Sequence, residues 1–372
     1  MATDAGGFFV DDEPALAAQL ANFLARLASD LDAQSWRGGV AALVLAGGYG
    51  RGEGGVFRVA EDAAAELYND VEFFLFLKPE ADAAAAARWC EGWEKSGTAE
   101  LGIDVEFKRD AARVLRDGAP SMFWHDLLQG HRVVWGDARL LEEAPARLRD
   151  PAGLPAAEAT RLLFNRGSGL WFARLKLEGG RAEDGGFIQR NHQKARLAMG
   201  DAVLALAGRH HGLCEERARR IAAGGFPVPP GWERIVAWHA EGVAFKLRPR
   251  HRARTAAELA EAQAELAAAW LQVFLWVEGR RLGKTFTGAE DYADFRGRVF
   301  PDTAVWRNFA LHARDRLRRG EALPGWLDYP RAALQRALVA ALAGGAEAGA
   351  GKLGESVADY AAAYARWWGR YN

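Results

Sequence analysis

A glycine-rich turn behind an apolar strand constrains this chain more than any other feature of its sequence. Residues 40–46 form a short apolar run that predicts a buried strand, and Gly47 and Gly48 follow it directly. Glycine allows a sharp bend and a close approach to a ligand, and a helix starting just beyond would present backbone N–H groups to a phosphate. Arg51 adds a guanidinium fork for phosphate oxygens. The turn therefore predicts a phosphate-binding loop.

Two later segments, 71–77 and 101–107, are typical of strands, and each is associated with a pair of carboxylates two positions apart. Residues at that spacing on a strand point to the same face, so the two charges repel unless a cation lies nearby. If the two strands are neighbours, three or four acidic oxygens converge on a site suited to Mg²⁺, with Mn²⁺ as a second candidate. A solvated sheet face is the alternative for either pair taken alone. The pairs are Asp70 with Glu72 and Asp104 with Glu106.

The predicted secondary structure changes near residue 150. Strands alternate with helices before it, with helices predicted at 13–31 and 82–94 and a further short strand at 132–135. Six helical patterns follow it, and 343–351 predicts a mobile Gly/Ala-rich connection before the last of them. The sequence therefore predicts an α+β domain at 1–150, with a small mixed sheet flanked by helices, and an all-α domain at 151–372. The six helices are predicted at 156–177, 187–207, 256–280, 303–318, 330–342 and 354–368.

The two halves also carry opposite charge. Residues 1–150 contain 15 Lys and Arg against 26 Asp and Glu, a balance of −11. The remaining 222 residues contain 33 basic and 23 acidic residues, a balance of +10, so the near-neutral whole conceals an acidic and a basic half. A basic helical half suits an anionic substrate held beside an acidic metal-binding half.

In these residues the chain resembles the DNA polymerase β-like nucleotidyltransferases. Their pattern is a strand, a Gly-Gly or Gly-Ser turn, an acid-x-acid strand and a third acid on a later strand, matched here in order by Gly47-Gly48, Asp70-Val71-Glu72 and Asp104. The heptad GGYGRGE at 47–53 is especially similar to the catalytic domain of bacterial protein uridylyltransferases. The specific resemblance covers residues 41–108, and a longer spacing than usual before Asp70 predicts an insertion at 56–67.

The resemblance implies a nucleotidyltransferase domain at 1–150 followed by a helical substrate-binding domain. It implies transfer of a nucleoside monophosphate from a nucleoside triphosphate to an acceptor hydroxyl, with release of pyrophosphate, at a two-ion Mg²⁺ site. Asp70, Glu72 and Asp104 would be the catalytic residues and metal ligands, and Glu106 is the other candidate for the third acid. The nucleotide would be bound by a set that includes one lysine of the helical domain: Gly47, Gly48, Tyr49, Arg51 and Lys194.

Other interpretations of the sequence remain open beside this one. The same fold could be a catalytically silent nucleotide-binding or interaction module, or the basic half could bind nucleic acid. The acceptor could be a small molecule, a protein or RNA. The basic segment 246–254, KLRPRHRAR, is either a solvated loop or a contact to an anionic substrate.

Several classes are excluded or disfavoured. Two cysteines, Cys90 and Cys214, provide no disulfide framework and no paired zinc ligands. The acidic N-terminal sequence lacks the features of a secretory signal, and no apolar run is long enough to span a bilayer, so a cytoplasmic protein is expected. The segment 278–285, EGRRLGKT, is one residue too short for a P-loop and follows a helix where a strand is required.

Overall fold

The computed structural model is α+β and describes residues 7–60, 62–300, 304–318, 320, 322–323, 325–326 and 329–371. The chain divides into two compact units that interleave along the sequence. Unit 1 comprises the described residues of Met1–Pro155, Ala207–Phe226 and Ala240–Arg252. Unit 2 comprises those of Ala156–Leu206, Pro227–His239 and Ala253–Asn372. The first segment of unit 1 thus ends five residues beyond the predicted boundary, and two later segments belong to unit 1 as well.

Unit 1 contains two sheets. The larger has the strand order β5-β4-β1-β6, in which β1 is antiparallel to both β4 and β6 whereas β4 and β5 are parallel. The smaller pairs β2 with β3 antiparallel and occupies the segment in which the sequence predicted an insertion. The strands are β1 (Val40–Leu45), β2 (Gly55–Phe57), β3 (Glu66–Tyr68), β4 (Val71–Leu77), β5 (Val105–Ala111) and β6 (Arg132–Gly136).

Helices account for most of the described residues. In unit 1 they are α1 (Pro14–Ala33), α2 (Gly47–Arg51), α3 (Ala83–Leu101), α4 (Val114–Asp117), α5 (Met122–Gln129), α6 (Arg139–Glu142) and α9 (Cys214–Ala223). In unit 2 they are α7 (Ala157–Gly179), α8 (Gly185–Leu206), α11 (Ala256–Leu282), α12 (Ala289–Asp294), α13 (Val305–Arg318), α14 (Pro330–Leu353) and α15 (Val357–Tyr371). The division between the units falls within α10 (Trp232–Leu247).

The larger sheet is buried on both faces, which explains why β1 is an uninterrupted apolar run. Leu43 and Phe73 point to one face and pack in a cluster that includes Phe23 of α1. Val44 and Phe74 point to the other face and pack with Leu127 of α5. Alternation along β4 therefore places its even-numbered residues on the α5 face of the sheet. Glu72 is one of these residues.

Unit 2 is built around helices α7, α8 and α11. Trp270 of α11 is fully buried, donates a hydrogen bond from Nε1 to the Leu163 carbonyl at 3.0 Å and stacks on Phe274. The close approach of α7 depends on a glycine, since a Cβ at Gly167 would lie 2.4 Å from the Trp270 ring. Thr255 begins the helix with a capping box that also uses Glu258.

Most predicted elements are confirmed to within a few residues, and β4 has the predicted bounds. The strand predicted at 101–107 is wrong in its start, because α3 continues to Leu101 and β5 begins at Val105. Leu101 is buried in the same core as the strand, so its apolar character belongs to the helix. Gly102, with a φ of 70°, ends α3 in the left-handed conformation that glycine favours.

The prediction of a mobile connection at 343–351 is also wrong. These residues continue α14 to Leu353, with one interruption at Gly345, whose φ is 85°. Their small side chains serve packing, since a Cβ at Gly349 would lie 2.4 Å from the Tyr360 ring. Within the described residues, no helix combines the length and the apolarity needed to cross a membrane.

Candidate active site

Three carboxylates of unit 1 meet where β4 and β5 begin. Glu72 of β4 lies directly beside Glu106 of β5 in the parallel register, and Asp70 precedes β4 by one residue. One oxygen from each of Asp70, Glu72 and Glu106 can be chosen so that all three lie within 4.8 Å of one another. The expected convergence of acids from two neighbouring strands is therefore confirmed. We call these three residues the carboxylate cluster.

The electrostatics of the carboxylate cluster show the cost of holding three acids together. Partial removal from water raises the pKa of Glu106, and the charges of Asp70 and Glu72 raise it further, while Lys108 lowers it. Lys108 Nζ lies 2.7 Å from Glu72 Oε1 and also sits over the Phe123 ring. Within the described residues this is the one ion pair of the cluster, so three acids share a single lysine.

Gly47 is required by its contact with this cluster. Its φ of 63° is in the left-handed region, and a Cβ at this position would lie 2.5 Å from Glu72 Oε2. The backbone just before it is fixed to β4, because the Ala46 N–H donates to the Glu72 carbonyl at 2.8 Å. Any side chain at Gly47 would fill the space in front of the Glu72 carboxylate. The glycine-rich turn and the carboxylates thus belong to one site.

Hydrogen bonds from the Tyr49 side chain fix the backbone of the segment that carries Asp70. The Tyr49 hydroxyl accepts from the Tyr68 N–H and lies 2.9 Å from the Tyr68 carbonyl, to which it donates. Asn69 follows with a φ of 69°, the one non-glycine residue with positive φ among those described. The predicted nucleotide contact of Tyr49 has no counterpart here, because its side chain is buried in the core and its hydroxyl is used by the backbone. Tyr49 positions the Asp70 segment.

Arg51 and Glu53 belong to a second, buried charge group in unit 1. Glu53 accepts from the Cys214 N–H at 2.6 Å and from Lys246 Nζ at 3.0 Å, and Arg51 Nε lies 3.9 Å from its Oε2. Burial would raise the pKa of Glu53, but Lys246 and the hydrogen bonds hold the pKa below its ordinary value. The Arg51 side chain, 12% exposed, is thus directed to this carboxylate.

The remaining predicted site residues lie elsewhere. Asp104 comes just before β5, and its carbonyl accepts from the Val71 N–H at 2.8 Å. The carboxylate that joins Asp70 and Glu72 within the described residues is that of Glu106, and Asp104 is outside this group. Gly48 continues α2, where a Cβ would lie 3.0 Å from the Glu53 carbonyl. Lys194 lies half-buried in α8 of unit 2.

Two further residues of the site were not predicted. Lys108 follows Glu106 by two positions, so the strand pattern that paired the acids also places this lysine on their face. Asn69 carries a weaker signal, since asparagine is the non-glycine residue that most readily adopts positive φ. Comparisons of the chain with protein-family models, with curated proteins and with solved structures find no match.

Proposed function

We propose that this protein is a metal-dependent nucleotidyltransferase whose active site is the carboxylate cluster. The observation that carries the proposal is the meeting of Asp70, Glu72 and Glu106 on adjacent parallel strands, with Gly47 leaving open the space before Glu72. Carboxylates that repel one another lower the stability of the fold, so their arrangement calls for a cationic ligand. The glycine-rich turn supplies the close backbone approach that a phosphate needs.

The donor set fits a hard divalent cation. Carboxylate oxygens are the ligands that Mg²⁺ prefers, and this ion keeps part of its water shell, so three protein ligands suffice. Asp70, Glu72 and Glu106 would hold it, and Lys108 orients Glu72 through one oxygen while the other faces Gly47. When bound, Mg²⁺ supplies charge neutralisation for the phosphate oxygens of the nucleotide.

The chain's own residues would then mainly position the reactants. The acceptor's hydroxyl oxygen forms a bond to the α-phosphorus, the bond to the bridging oxygen breaks, and pyrophosphate leaves with its electron pair. The hydroxyl proton passes to the carboxylate of Glu106, which we assign as the third acid in place of Asp104 because it belongs to the cluster. No covalent intermediate with the protein is needed, since orientation and charge neutralisation lower the barrier.

The test incubates the full chain with Mg²⁺, each nucleoside triphosphate in turn and a cell extract. Pyrophosphate release is measured, and products that have gained a nucleoside monophosphate are sought by mass spectrometry. We expect Asp70→Asn and Glu72→Gln each to lower turnover by about two orders of magnitude or more, because charge stabilisation is lost. Glu91→Gln, at an exposed position of α3, makes the same chemical change outside the site and should leave turnover unchanged.

Near-normal turnover in either cluster variant would contradict the mechanism. Binding of nucleoside triphosphate and Mg²⁺ by the wild-type protein, without pyrophosphate release for any nucleotide or extract, would instead indicate a catalytically silent nucleotide-binding module. Loss of activity in Glu91→Gln as well would show that the assay reports general damage to the protein.

A further inference from the structure

Lys108 lies on the same face of the larger sheet as the carboxylate cluster. In the parallel register, Glu106 is the partner of Glu72, and Lys108 is the partner of Phe74 one pleat further along. Partners in neighbouring strands share a face, and Phe74 points to the face that packs with α5. The register that brings the acids together therefore also places this lysine next to them.

Two contacts hold the Lys108 ammonium beside the cluster. Its Nζ lies 2.7 Å from Glu72 Oε1 and 5.3 Å from the centroid of the Phe123 ring. Phe123 belongs to the first turn of α5, and its ring centroid lies 5.5 Å from that of Phe74 in the core. The ring that supports the ammonium is thus itself held by packing, which keeps the positive charge next to a proposed metal ligand.

The Lys108 ammonium can donate further hydrogen bonds. An ammonium carries three N–H groups, and within the described residues they make one hydrogen bond, to Glu72. The Lys108 side chain is 44% exposed, whereas that of Glu72 is 25% exposed. A ligand that approaches the cluster from solvent can therefore reach the ammonium without displacing Glu72.

The charge and the position of Lys108 suit a phosphate. Arg51, which the sequence predicts as a phosphate contact, is directed to Glu53 in the structure. Lys108 forms the one ion pair of the carboxylate cluster among the residues that the structure describes. A triphosphate bound to a divalent cation at the cluster would lie within reach of this ammonium, because the cation and Lys108 share Glu72 as a partner. Lysine binds phosphate as a point charge, so a single N–H directed to one oxygen suffices.

We propose that Lys108 binds the triphosphate of the nucleotide, with its ammonium bridging Glu72 and a phosphate oxygen. The assignment rests on the metal site of the proposed function, because a divalent cation at the cluster is what brings the phosphates there. Lys108 thereby takes the role that the sequence assigned to Arg51. The same ammonium repels a divalent cation, so Lys108 weakens the binding of the metal alone and strengthens the binding of triphosphate once the metal is bound.

The test measures two affinities of the full chain and of Lys108→Met, which removes the charge and keeps an unbranched side chain beside Phe123. The affinity for Mn²⁺ alone is measured from the electron paramagnetic resonance signal of the free ion. We expect Lys108→Met to bind Mn²⁺ about tenfold more tightly, because the repulsion between the ammonium and the divalent ion is removed.

The second affinity is that for inorganic tripolyphosphate, a probe that carries the linked phosphates of every nucleoside triphosphate and needs no choice of base. It is measured by calorimetry at an Mn²⁺ concentration that saturates the cluster of each variant, so that the metal contributes equally. We expect Lys108→Met to bind tripolyphosphate about tenfold or more weakly, since a charge-assisted hydrogen bond is lost.

Matched variants separate this contact from general effects of charge. Lys95→Met makes the same chemical change at an exposed position of α3 and should leave both affinities unchanged. Lys108→Arg keeps a cation at the site and should bind tripolyphosphate more tightly than Lys108→Met does. Asp70→Asn should lower the affinity for Mn²⁺, which verifies that the ion is bound at the cluster. Thermal unfolding verifies that each variant is folded.

The opposite signs of the two changes distinguish phosphate binding from a purely structural role. If Lys108 only oriented Glu72, its loss would lower both affinities, and this result would overturn the proposal. Unchanged tripolyphosphate affinity in Lys108→Met would overturn it as well, as would an equal loss in Lys95→Met.

Failure of this assignment is distinguishable from failure of the proposed function, because the two assays report binding and not transfer. Absence of Mn²⁺ binding by the wild-type protein would overturn both. A wild-type protein that binds tripolyphosphate through Lys108 but releases no pyrophosphate from any nucleotide would contradict the transfer reaction and support this assignment.

Discussion

Each unit holds a group of ionised side chains. The two groups differ in how far neighbouring cations and hydrogen-bond donors compensate their carboxylates. In unit 2, Glu278 is fully buried and accepts hydrogen bonds at 2.8–3.3 Å from Arg281, Tyr292 and Gln335. The Thr160 hydroxyl donates to the same carboxylate. Arg281 donates hydrogen bonds to both oxygens of the Glu278 carboxylate. The negative charge of Glu278 is therefore balanced by a cation of the same helix. The Glu278 carboxylate is therefore compensated by the protein's own side chains.

The carboxylate cluster of unit 1 is arranged in the opposite way. Asp70 and Glu72 are half-buried and Glu106 is exposed, so all three can be reached from solvent. Against these three charges the described residues place one ion pair, Lys108 with Glu72. The buried carboxylate has its hydrogen bonds and its charge satisfied within the protein. The partly exposed carboxylates repel one another, and a bound cation would relieve this repulsion. Under the proposed function, this contrast distinguishes the structural acid Glu278 from the acids that we propose to bind metal.

The largest effect that we expect from this contrast is at Glu278. Glu278→Gln would leave Arg281, which is 5% exposed, buried without its anion. Breaking a buried ion pair from one side typically costs about 3–5 kcal/mol of the free energy of unfolding. Urea unfolding measures it, with Glu265→Gln at an exposed position of the same helix as the control. If Glu278→Gln lost no more stability than the control, Glu278 would not be a structural acid and the contrast with the carboxylate cluster would fail.

The second prediction concerns which acid completes the carboxylate cluster. Glu106→Gln should lower turnover by about two orders of magnitude, the cost of losing a charged group that acts on the reaction. Asp104→Asn should change turnover by only a few-fold, because its carboxylate lies outside the cluster. Steady-state kinetics with the two variants side by side decide between them. An inactive Asp104→Asn beside an active Glu106→Gln would restore the assignment made from the sequence alone.

Histidine offers a case in which the two units should behave alike. Burial lowers the pKa of His125 in unit 1 to about 4, helped by the charge of His210, and burial likewise lowers the pKa of His192 in unit 2 to about 4. The unfolded chain takes up these protons near pH 6.5 and the folded chain does not, so stability is complete above pH 6.5 and is lost as the pH falls towards 4.

The measurement is the free energy of unfolding between pH 7 and 5.5, where most carboxylates do not yet titrate. Each histidine should contribute a slope of up to about 1.4 kcal/mol per pH unit in the lower part of this range. His125→Gln and His192→Gln should each remove part of the slope. A slope that neither substitution changes would show that the two burials do not control acid stability.

The fold and the site differ in how far the sequence predicts them. The bounds of strand β4 are predictable because the strand packs against two cores, one on each face of the sheet. Burial on both faces requires a nearly continuous apolar run, and this run is visible within the seven residues of the strand. Strand β5 lies at the edge of the sheet, and its second half, with Lys108 and Asp110, is polar and exposed. The second half of β5 therefore shows no apolar pattern that would predict a strand. The apolar residue at the end of α3, Leu101, was instead assigned to the strand.

The site was predictable as a set of acids but not as a geometry. That Glu72 meets Glu106 depends on the register between β4 and β5, which is set by pairing across 34 positions of the chain and not by local spacing. Tyr49 shows the same limit, because an aromatic residue in a glycine-rich turn resembles a nucleotide contact. Its burial depends on packing in the folded unit, where a Cβ at Gly54 would lie 2.3 Å from the Tyr49 ring.

The smallest expected effect is the most direct test of the contrast, because its sign is opposite to that at Glu278. Asp70→Asn, measured in EDTA, should raise the free energy of unfolding by about 0.5 kcal/mol, since Asp70 raises the pKa of Glu106 by repulsion and this repulsion is relieved. Adding Mg²⁺ at ten times the wild-type Kd should stabilise the wild-type protein by about 1.4 kcal/mol and the variant by less than about 0.9 kcal/mol, so that the order of stability inverts. Glu91→Gln controls for the loss of one negative charge from unit 1. A destabilised Asp70→Asn in EDTA would mean that Asp70 is a structural acid like Glu278.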